Sequence, residues 1–528
     1  MCTDIEDLDK FVAENDLNFS LEDVEVKAKE IILEKCRKIL EGDSSSHLYV
    51  CLCCIRILTR DEVVRKELTS NFFVSLLLKH AFHRDTCSQS SGIKFEALKS
   101  LCNIVFKEPC VIDRLKELNV VRKIMEGIEI LLGQVTEKEQ LLLCLKLAFL
   151  VTALDSSSRQ EMVNFNTLQL LIKVLKMRSG IADSTIAAEA LKTIYNILYS
   201  IQDEDVTKEL DDDIQNLVVI LKHLLQDSLA DNFDNYLLVS QTVNVLNVIP
   251  KKFYRSLLNN ETIDEHRTGN APEHSLPGTE TNKVNCIAVL VSFLHSQLKL
   301  DATKVSGTAS DLRTDERICP ILNCLTRACK SNRQIRKFCR LKVLPYLGKD
   351  VTRLPEDGDS IRNHLCKLLT HPVQIVGESA ALFIFVLCKE NIGRAVKYTG
   401  FGNFAGFLAR HALLGKTSKN NKDSNYSNDE YSDTSSESET EEYKSLKDDV
   451  NPVTGRWEIS QPNPMENMSE EQKEYLAMDL VQKIDKLERS GFIQPGTIGE
   501  DGCVRPVHHI LELIQTKEDD KKSEESSD

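Results

Sequence analysis

The residues best placed to do chemistry in this chain are cations and amides at helical spacing, and their chemistry is recognition. Arg56 and Arg60 stand four residues apart, and Arg333, Arg336 and Lys337 crowd into Ser331-Asn-Arg-Gln-Ile-Arg-Lys-Phe338. Side chains at i and i+4 share a helix face, and guanidinium and ammonium groups so arranged take carboxylates. Lys99 and Asn103 form another such pair, repeated as Lys192 and Asn196, with Lys146 at the register between them. An asparagine amide donates and accepts, so it can bond the backbone of a peptide lying against the helix. It can equally bond the neighbouring helix and do no more than hold a stack together. On a chain of net charge −15, two cationic clusters point to an acidic or carboxylate-bearing ligand. A solvated helix face accounts for either cluster taken alone.

These pairs belong to a recurring phrase that says what must position them. Leu98-Lys-Ser-Leu-Cys-Asn103 returns as Leu191-Lys-Thr-Ile-Tyr-Asn196, more weakly as Leu145-Lys-Leu-Ala-Phe149 and as Leu52-Cys-Cys-Ile-Arg56. The leading leucines are 46, 47 and 46 residues apart, the period of armadillo or HEAT units of two or three helices. One such unit cannot bury its apolar face alone, so the units stack into a right-handed superhelical solenoid with a groove that holds another protein. Apolar residues recur at three and four, as Leu98, Leu101 and Val105, and no strand-like alternation is present. The expected class is all-α.

The solenoid is expected over residues 1–415, its first 45 residues read as polar helices with Ser20-Leu-Glu-Asp23 as a helix start. A polar insertion, Asn259-Asn-Glu-Thr-Ile through Thr281-Asn-Lys283, predicts a mobile loop over about 258–284. Residues 416–448 read as a disordered acidic linker, 449–503 as a partner-binding C-terminal segment and 504–528 as a charged tail. Within that segment Ser469-Glu-Glu-Gln472 is a capping box opening a helix over about 470–488. Its stripe of Leu476, Leu480, Ile484 and Leu487 needs a cover, supplied by a partner groove or by the solenoid itself. In the linker, Ser427, Ser436 and Ser438 each precede a carboxylate by three residues, the pattern read by acidophilic protein kinases.

Other chemistries find no residues. There is no GxxxxGK[ST], GxGxxG, HExxH or GxSxG, so no enzyme and no cofactor is expected. The 17 cysteines fall at apolar helical positions without metal-ligand spacing and read as buried thiols. An acidic chain is a poor coat for nucleic acid. The acidic start Met1-Cys-Thr-Asp-Ile-Glu-Asp and the lack of a long apolar run lead to the expectation of a cytoplasmic monomer without stable membrane insertion, open to recruitment to the cell cortex or plasma membrane.

The C-terminal half closely resembles the synembryn family. The motifs are Lys397-Tyr-Thr-Gly-Phe-Gly-Asn403, Ala405-Gly406, Glu441-Glu-Tyr-Lys444, Asn451-Pro-Val-Thr-Gly-Arg456, Pro462-Asn-Pro-Met465, Glu470-Glu-Gln-Lys-Glu474 and Ile493-Gln-Pro495. Upstream, Arg56-Ile-Leu-Thr-Arg60-Asp61, Leu98 to Asn103 and Arg336-Lys-Phe338 fit the same family, so that the likeness runs from about 50 to 503. It implies an armadillo/HEAT superhelix that acts as exchange factor and folding chaperone for heterotrimeric G-protein α subunits (Gα). The groove would take the Gα C-terminal helix through Arg56, Arg60, Asn103, Arg333, Arg336 and Lys337. Helix 470–488 would brace the Gα nucleotide domain, and the family's tail phosphosites would fall at Ser427 and at Ser438 or Thr440. Phe401 and Phe404 stand where relatives carry Tyr and Ala, and Asn247 is one residue out of phase. An armadillo adaptor that holds an extended peptide without exchange is the alternative. If Arg56 and Arg336 serve the ligand alone, replacing both with alanine leaves the fold intact.

Overall fold

The computed structural model describes residues 2–42, 47–83, 88–134, 137–177, 181–201, 207–230, 233–258, 286–303, 313–414, 440–458, 465, 468–494, 496–499 and 503–507. The protein is an all-α, armadillo-type stack of helices, and it divides into two compact units, Met1–Leu257 and Leu258–Asp528.

The first unit opens with α1 (Cys2–Asn15) and α2 (Val26–Glu41). The second of these begins six residues after Ser20, because Ser20 Oγ accepts the Glu22 N–H in a turn instead of capping a helix. Then follow α3 (Leu48–Leu58), α4 (Glu62–Leu68), α5 (Asn71–Ala81), α6 (Ser88–Lys107), α7 (Ile112–Glu117), α8 (Val120–Leu132) and α9 (Lys138–Leu154). The unit closes with α10 (Ser156–Asn164), α11 (Thr167–Lys176), α12 (Ile181–Tyr199), α13 (Lys208–Ala230) and α14 (Tyr236–Val248). From α4 to α12 the order is short, medium, long, which is the armadillo triplet. The long helices α3, α6, α9, α12 and α14 lie side by side as one layer, and α2, α5, α8, α11 and α13 back them as a second.

The repeated leucines explain the layering. Leu52, Leu98, Leu145 and Leu191 are all at most 1% exposed, and each takes the same place in its long helix. A buried leucine contributes roughly 1.5–3 kcal/mol, and one anchor per unit repeats that gain along the stack.

Three helices are entered through one polar device. Asp61, Asp155 and Asn332 cap the helices that follow them, accepting backbone N–H groups within three residues. Four residues after each cap comes an arginine, and each donates back to a carbonyl near the end of the preceding long helix. The bonds are Arg65 to Thr59 at 3.1 Å, Arg159 to Thr152 at 2.6 Å and Arg336 to Cys329 at 2.8 Å. Helix C-termini leave carbonyls without partners, and these guanidinium groups supply them.

The second unit contains α15 (Cys286–Thr303), α16 (Thr314–Ser331), α17 (Arg333–Val343), α18 (Ile361–Leu368), α19 (Gln374–Leu387), α20 (Ile392–Thr399) and α21 (Phe401–Arg410). Here α16 and α19 are the adjacent long helices, backed by α15 and α18. The described chain resumes at Thr440, so the acidic linker expected to 448 gives way to structure earlier. Thr440 caps α22 (Glu441–Leu446), whose Tyr443 is buried. Antiparallel strands β1 (Val450–Asn451) and β2 (Arg456–Trp457) follow, then α23 (Glu470–Arg489) and the antiparallel pair β3 (Gly496–Ile498) and β4 (Val504–Pro506). Strands of two or three residues are too short to show alternation, which is why none was expected. The expected loop over 258–284 lies outside the described residues except at Leu258.

Candidate functional site

In the first unit the long-helix layer carries a row of ammonium groups set among aromatic rings. Lys99, Lys146 and Lys192 occupy the same position on α6, α9 and α12, and all three are half-buried. The Lys99 ammonium lies 4.0 Å from the centre of the Phe95 ring, and that of Lys192 lies 5.5 Å from the Phe149 ring on the neighbouring helix. A cation over an aromatic face is held by the ring quadrupole and remains open to an anion on its other side. Lys192 is partly neutralised by Glu189 at 2.8 Å. Tyr195 and Tyr199 stack with ring centres 6.0 Å apart and continue the aromatic surface on α12, where Tyr199 is largely exposed. Sequence reasoning singled out the lysines and passed over Phe95, Phe149, Tyr195 and Tyr199. The Phe95–Lys99 spacing of four was the available signal.

The asparagines sit on the same helices and are engaged within the stack. Asn103 Nδ2 donates to Thr59 Oγ1 at 2.9 Å, and Asn196 Nδ2 donates to Thr152 Oγ1 at 3.0 Å and to the Phe149 carbonyl at 3.3 Å. Both threonine bonds reach 44 residues back, to the preceding long helix or its end. Of the two roles open to these amides, the described one is to tie neighbouring long helices.

Arg56 and Arg60 are likewise occupied. Arg56 pairs with Glu96 on α6 and with Asp16 in the turn after α1. Burial opposes its charge, but hydrogen bonds to Asp16 and Glu96 outweigh that and raise its pKa. The Arg56 hydrogen bond holds the Asp16 carboxyl below its ordinary range. Arg60 donates to the carbonyls of Asn15 at 2.9 Å and Asp16 at 3.0 Å and to that of Asn18, closing the end of α1, and lies over the Phe19 ring. Desolvation lowers its pKa.

In the second unit Arg336 is buried and Arg333 and Lys337 are exposed. The basic cluster on α17 thus splits by face, with Arg336 in the C-terminal closure described above. That bond leads us to expect a stability cost for alanine at Arg336. Helix α23 has its capping box, with Ser469 and Gln472 reciprocally bonded, and buries no residue. Leu476, Leu480 and Leu487 are 44%, 58% and 45% exposed, and Ile484 is half-buried. Of the phosphorylation candidates, Ser427, Ser436 and Ser438 lie outside the described residues. Thr440 Oγ1 donates to the Leu347 carbonyl and accepts the Tyr443 N–H.

The described residues hold no cluster of His, Cys, Asp and Glu able to bind a metal ion, and no described helix is long and apolar enough to cross a membrane. Burial pushes the thiols of Cys53, Cys102, Cys324 and Cys366 up to about 12, far from nucleophilic range.

A family profile described as "Guanine nucleotide exchange factor synembryn" matches residues 51–503. The chain is 33% identical over 535 residues to the protein named "Chaperone Ric-8A" of Gallus gallus, covering 96% of this chain and 93% of that one. It is 34% identical over 506 residues to the Xenopus tropicalis protein of the same name, covering 90% and 88%, and 32% identical over 547 residues to that of Mus musculus, covering 99% and 96%. An armadillo stack with a cation–aromatic row, a bare amphipathic helix and a match spanning nearly all of it agree, and the chain belongs to the synembryn family of guanine nucleotide exchange factors.

Proposed function

We propose that this protein is a guanine-nucleotide exchange factor and folding chaperone for heterotrimeric G-protein α subunits, working without covalent catalysis. The observation that carries the reading is the row of Lys99, Lys146 and Lys192 between Phe95, Phe149 and Tyr195. It suits an amphipathic helix that ends in a carboxylate, which is what the C-terminal helix of a Gα subunit offers. Rings take its apolar face and ammonium groups take its acidic groups. Arg333 and Lys337 add a second cationic face for acidic groups, whereas Arg56, Arg60, Asn103, Asn196 and Arg336 support the ligand-bearing helices from within.

The loop before the Gα C-terminal helix holds part of the guanine ring. Drawing that helix onto the lysine row distorts the loop and weakens GDP, while α23 braces the opened nucleotide domain through Leu476, Leu480, Ile484 and Leu487. Exchange factor and nucleotide are then negatively coupled: GTP rebinding expels the factor by the same free energy with which the factor expelled GDP. Chaperoning follows from one preference, because a newly made, nucleotide-free Gα is the state bound best. The protein acts as a cytoplasmic monomer, with an acidophilic kinase modifying Ser427, Ser436, Ser438 or Thr440.

GDP release from purified Gα subunits, with and without this chain, tests the reading. Acceleration that disappears in Lys146→Glu supports it. Peptide binding with no acceleration of any Gα would leave the armadillo adaptor in its place.

A further inference from the structure

The turn after α1 lies at the end of the lysine row. Asp16 presents its carboxylate to Arg56 on α3. Arg60, four residues on, donates to the carbonyls of Asn15, Asp16 and Asn18 and lies over the Phe19 ring. Lys99, the first member of the row, stands close enough to act on the same carboxylate. The Arg56 hydrogen bond first, then the charges of Arg56, Arg60 and Lys99, hold the Asp16 carboxyl below its ordinary range against the opposing pull of desolvation. One anion of this chain thus answers three cations, as the acidic group of a ligand would.

Arg56 carries two carboxylates of different standing. Glu96 on α6 is buried, whereas the Asp16 side chain is 50% exposed. Burial fixes the chain on either side of the turn, at Asn15 and at Leu21. Between them Leu17 and Phe19 are each 85% exposed, so burial does not hold residues 16–20 in place. What ties the turn to α3 is the arginine pair. A half-exposed ion pair is worth up to about fivefold in an equilibrium, a hold that a second carboxylate can take over. Glu96 keeps Arg56 in position, and α3 tied to α6, while Asp16 is exchanged.

We infer that the turn Asp16–Phe19 is a built-in competitor of the ligand, whose carboxylate occupies Arg56 and must leave before an acidic group of the Gα C-terminal helix takes its place. The inference rests on the reading of the lysine row as the seat of that helix. A ligand that has to displace the turn binds with a dissociation constant raised by the inverse of the open fraction. Removing the Asp16 charge enlarges that fraction, and the ligand gains what the turn loses.

The test uses the full-length chain and a synthetic peptide of the Gα C-terminal helix with a free terminal carboxylate. Asp16→Asn keeps the side chain's size, removes its charge and should tighten peptide binding about threefold. Glu22→Gln removes an exposed charge just past the turn and should change nothing. Hydrogen exchange gives the second readout. Saturating peptide should speed exchange of the Asn18 amide, bonded to the Asn15 carbonyl at 3.1 Å, and of the Ser20 amide, bonded to Asn18 Oδ1 at 3.2 Å. Three results would each overturn the inference alone: affinity in Asp16→Asn no better than wild type, tightening matched by Glu22→Gln, or tightening with unchanged exchange in the turn. If the wild type binds no peptide, or Lys146→Glu binds it as tightly, the reading of the lysine row fails and the inference with it.

Discussion

Arg336 Nη1 donates to the carbonyl oxygen of Cys329 at 2.8 Å, seven residues back across the junction of α16 and α17. Arg159 and Thr152 make the same bond at the same separation in the first unit. A charged donor on a buried carbonyl contributes roughly 1.5–3 kcal/mol, and deleting it leaves the carbonyl unsatisfied. Arg336→Ala is therefore expected to lower the thermal midpoint of the second unit, whereas Arg333→Ala and Lys337→Ala on the exposed face leave it unchanged. Differential scanning calorimetry of the three variants decides the matter; equal midpoints would remove Arg336 from the architecture and return it to the ligand.

Lys146 occupies the middle of the lysine row with no carboxylate among the described residues in hydrogen-bonding contact, in contrast to Lys192 beside Glu189. Reversing its charge should cost binding and spare folding. Lys146→Glu is expected to weaken Gα binding about tenfold or more, equivalent to ~1.4 kcal/mol. The loss should shrink as salt is raised, because partly exposed charges are screened. Titration calorimetry at two ionic strengths measures both. Unchanged affinity at low salt would displace the row from the binding surface.

Much of this architecture is legible from the chain. Leu52, Leu98, Leu145 and Leu191 mark one place in four successive long helices because stacking demands the same burial in each unit. The capping box at Ser469 announces α23 because it is a purely local device. Roles set by contact across helices were harder to read. Arg336 resembles its exposed neighbours Arg333 and Lys337 until Asp61-x-x-x-Arg65, Asp155-x-x-x-Arg159 and Asn332-x-x-x-Arg336 are aligned. Asn103 and Asn196 fit a groove or a stack equally well in sequence, and their bonds to Thr59 and Thr152 form only across helices. The family motifs around Gly400 and Gly455 give no local sign that they meet.

Helix α23 shows no buried residue, so substitutions in its apolar stripe are expected to cost the fold little. Leu476→Asp with Leu480→Asp should leave the thermal midpoints of both units as they are. The pair should abolish acceleration of GDP release while binding of a Gα C-terminal peptide is retained. Joint loss of peptide binding and exchange would mean that α23 and the lysine row do not act separately.

His364 makes stability depend on pH in a direction the site dictates. It is 7% exposed, its Nε2 has no hydrogen-bond partner among the described residues, and its ring centre lies 6.2 Å from that of His295 on α15, whose own Nε2 lies 3.1 Å from the Asp359 carbonyl oxygen. Desolvation first, then the neighbouring His295, with Lys367 and Lys299, hold its pKa below the ordinary 6.5, against the opposing pull of Asp359. A folded-state pKa below the unfolded one means that the unfolded chain takes up the proton first. Stability is then complete above pH 6.5 and is lost as pH falls from there through the depressed value. Burial lowers the pKa of His80 in the same sense, so the first unit carries a slope of its own. His364→Gln should therefore flatten, without abolishing, the fall in the second unit's midpoint between pH 7 and pH 5. Calorimetric midpoints across that range check it, and a slope identical to wild type would show that His364 is not the titrating group.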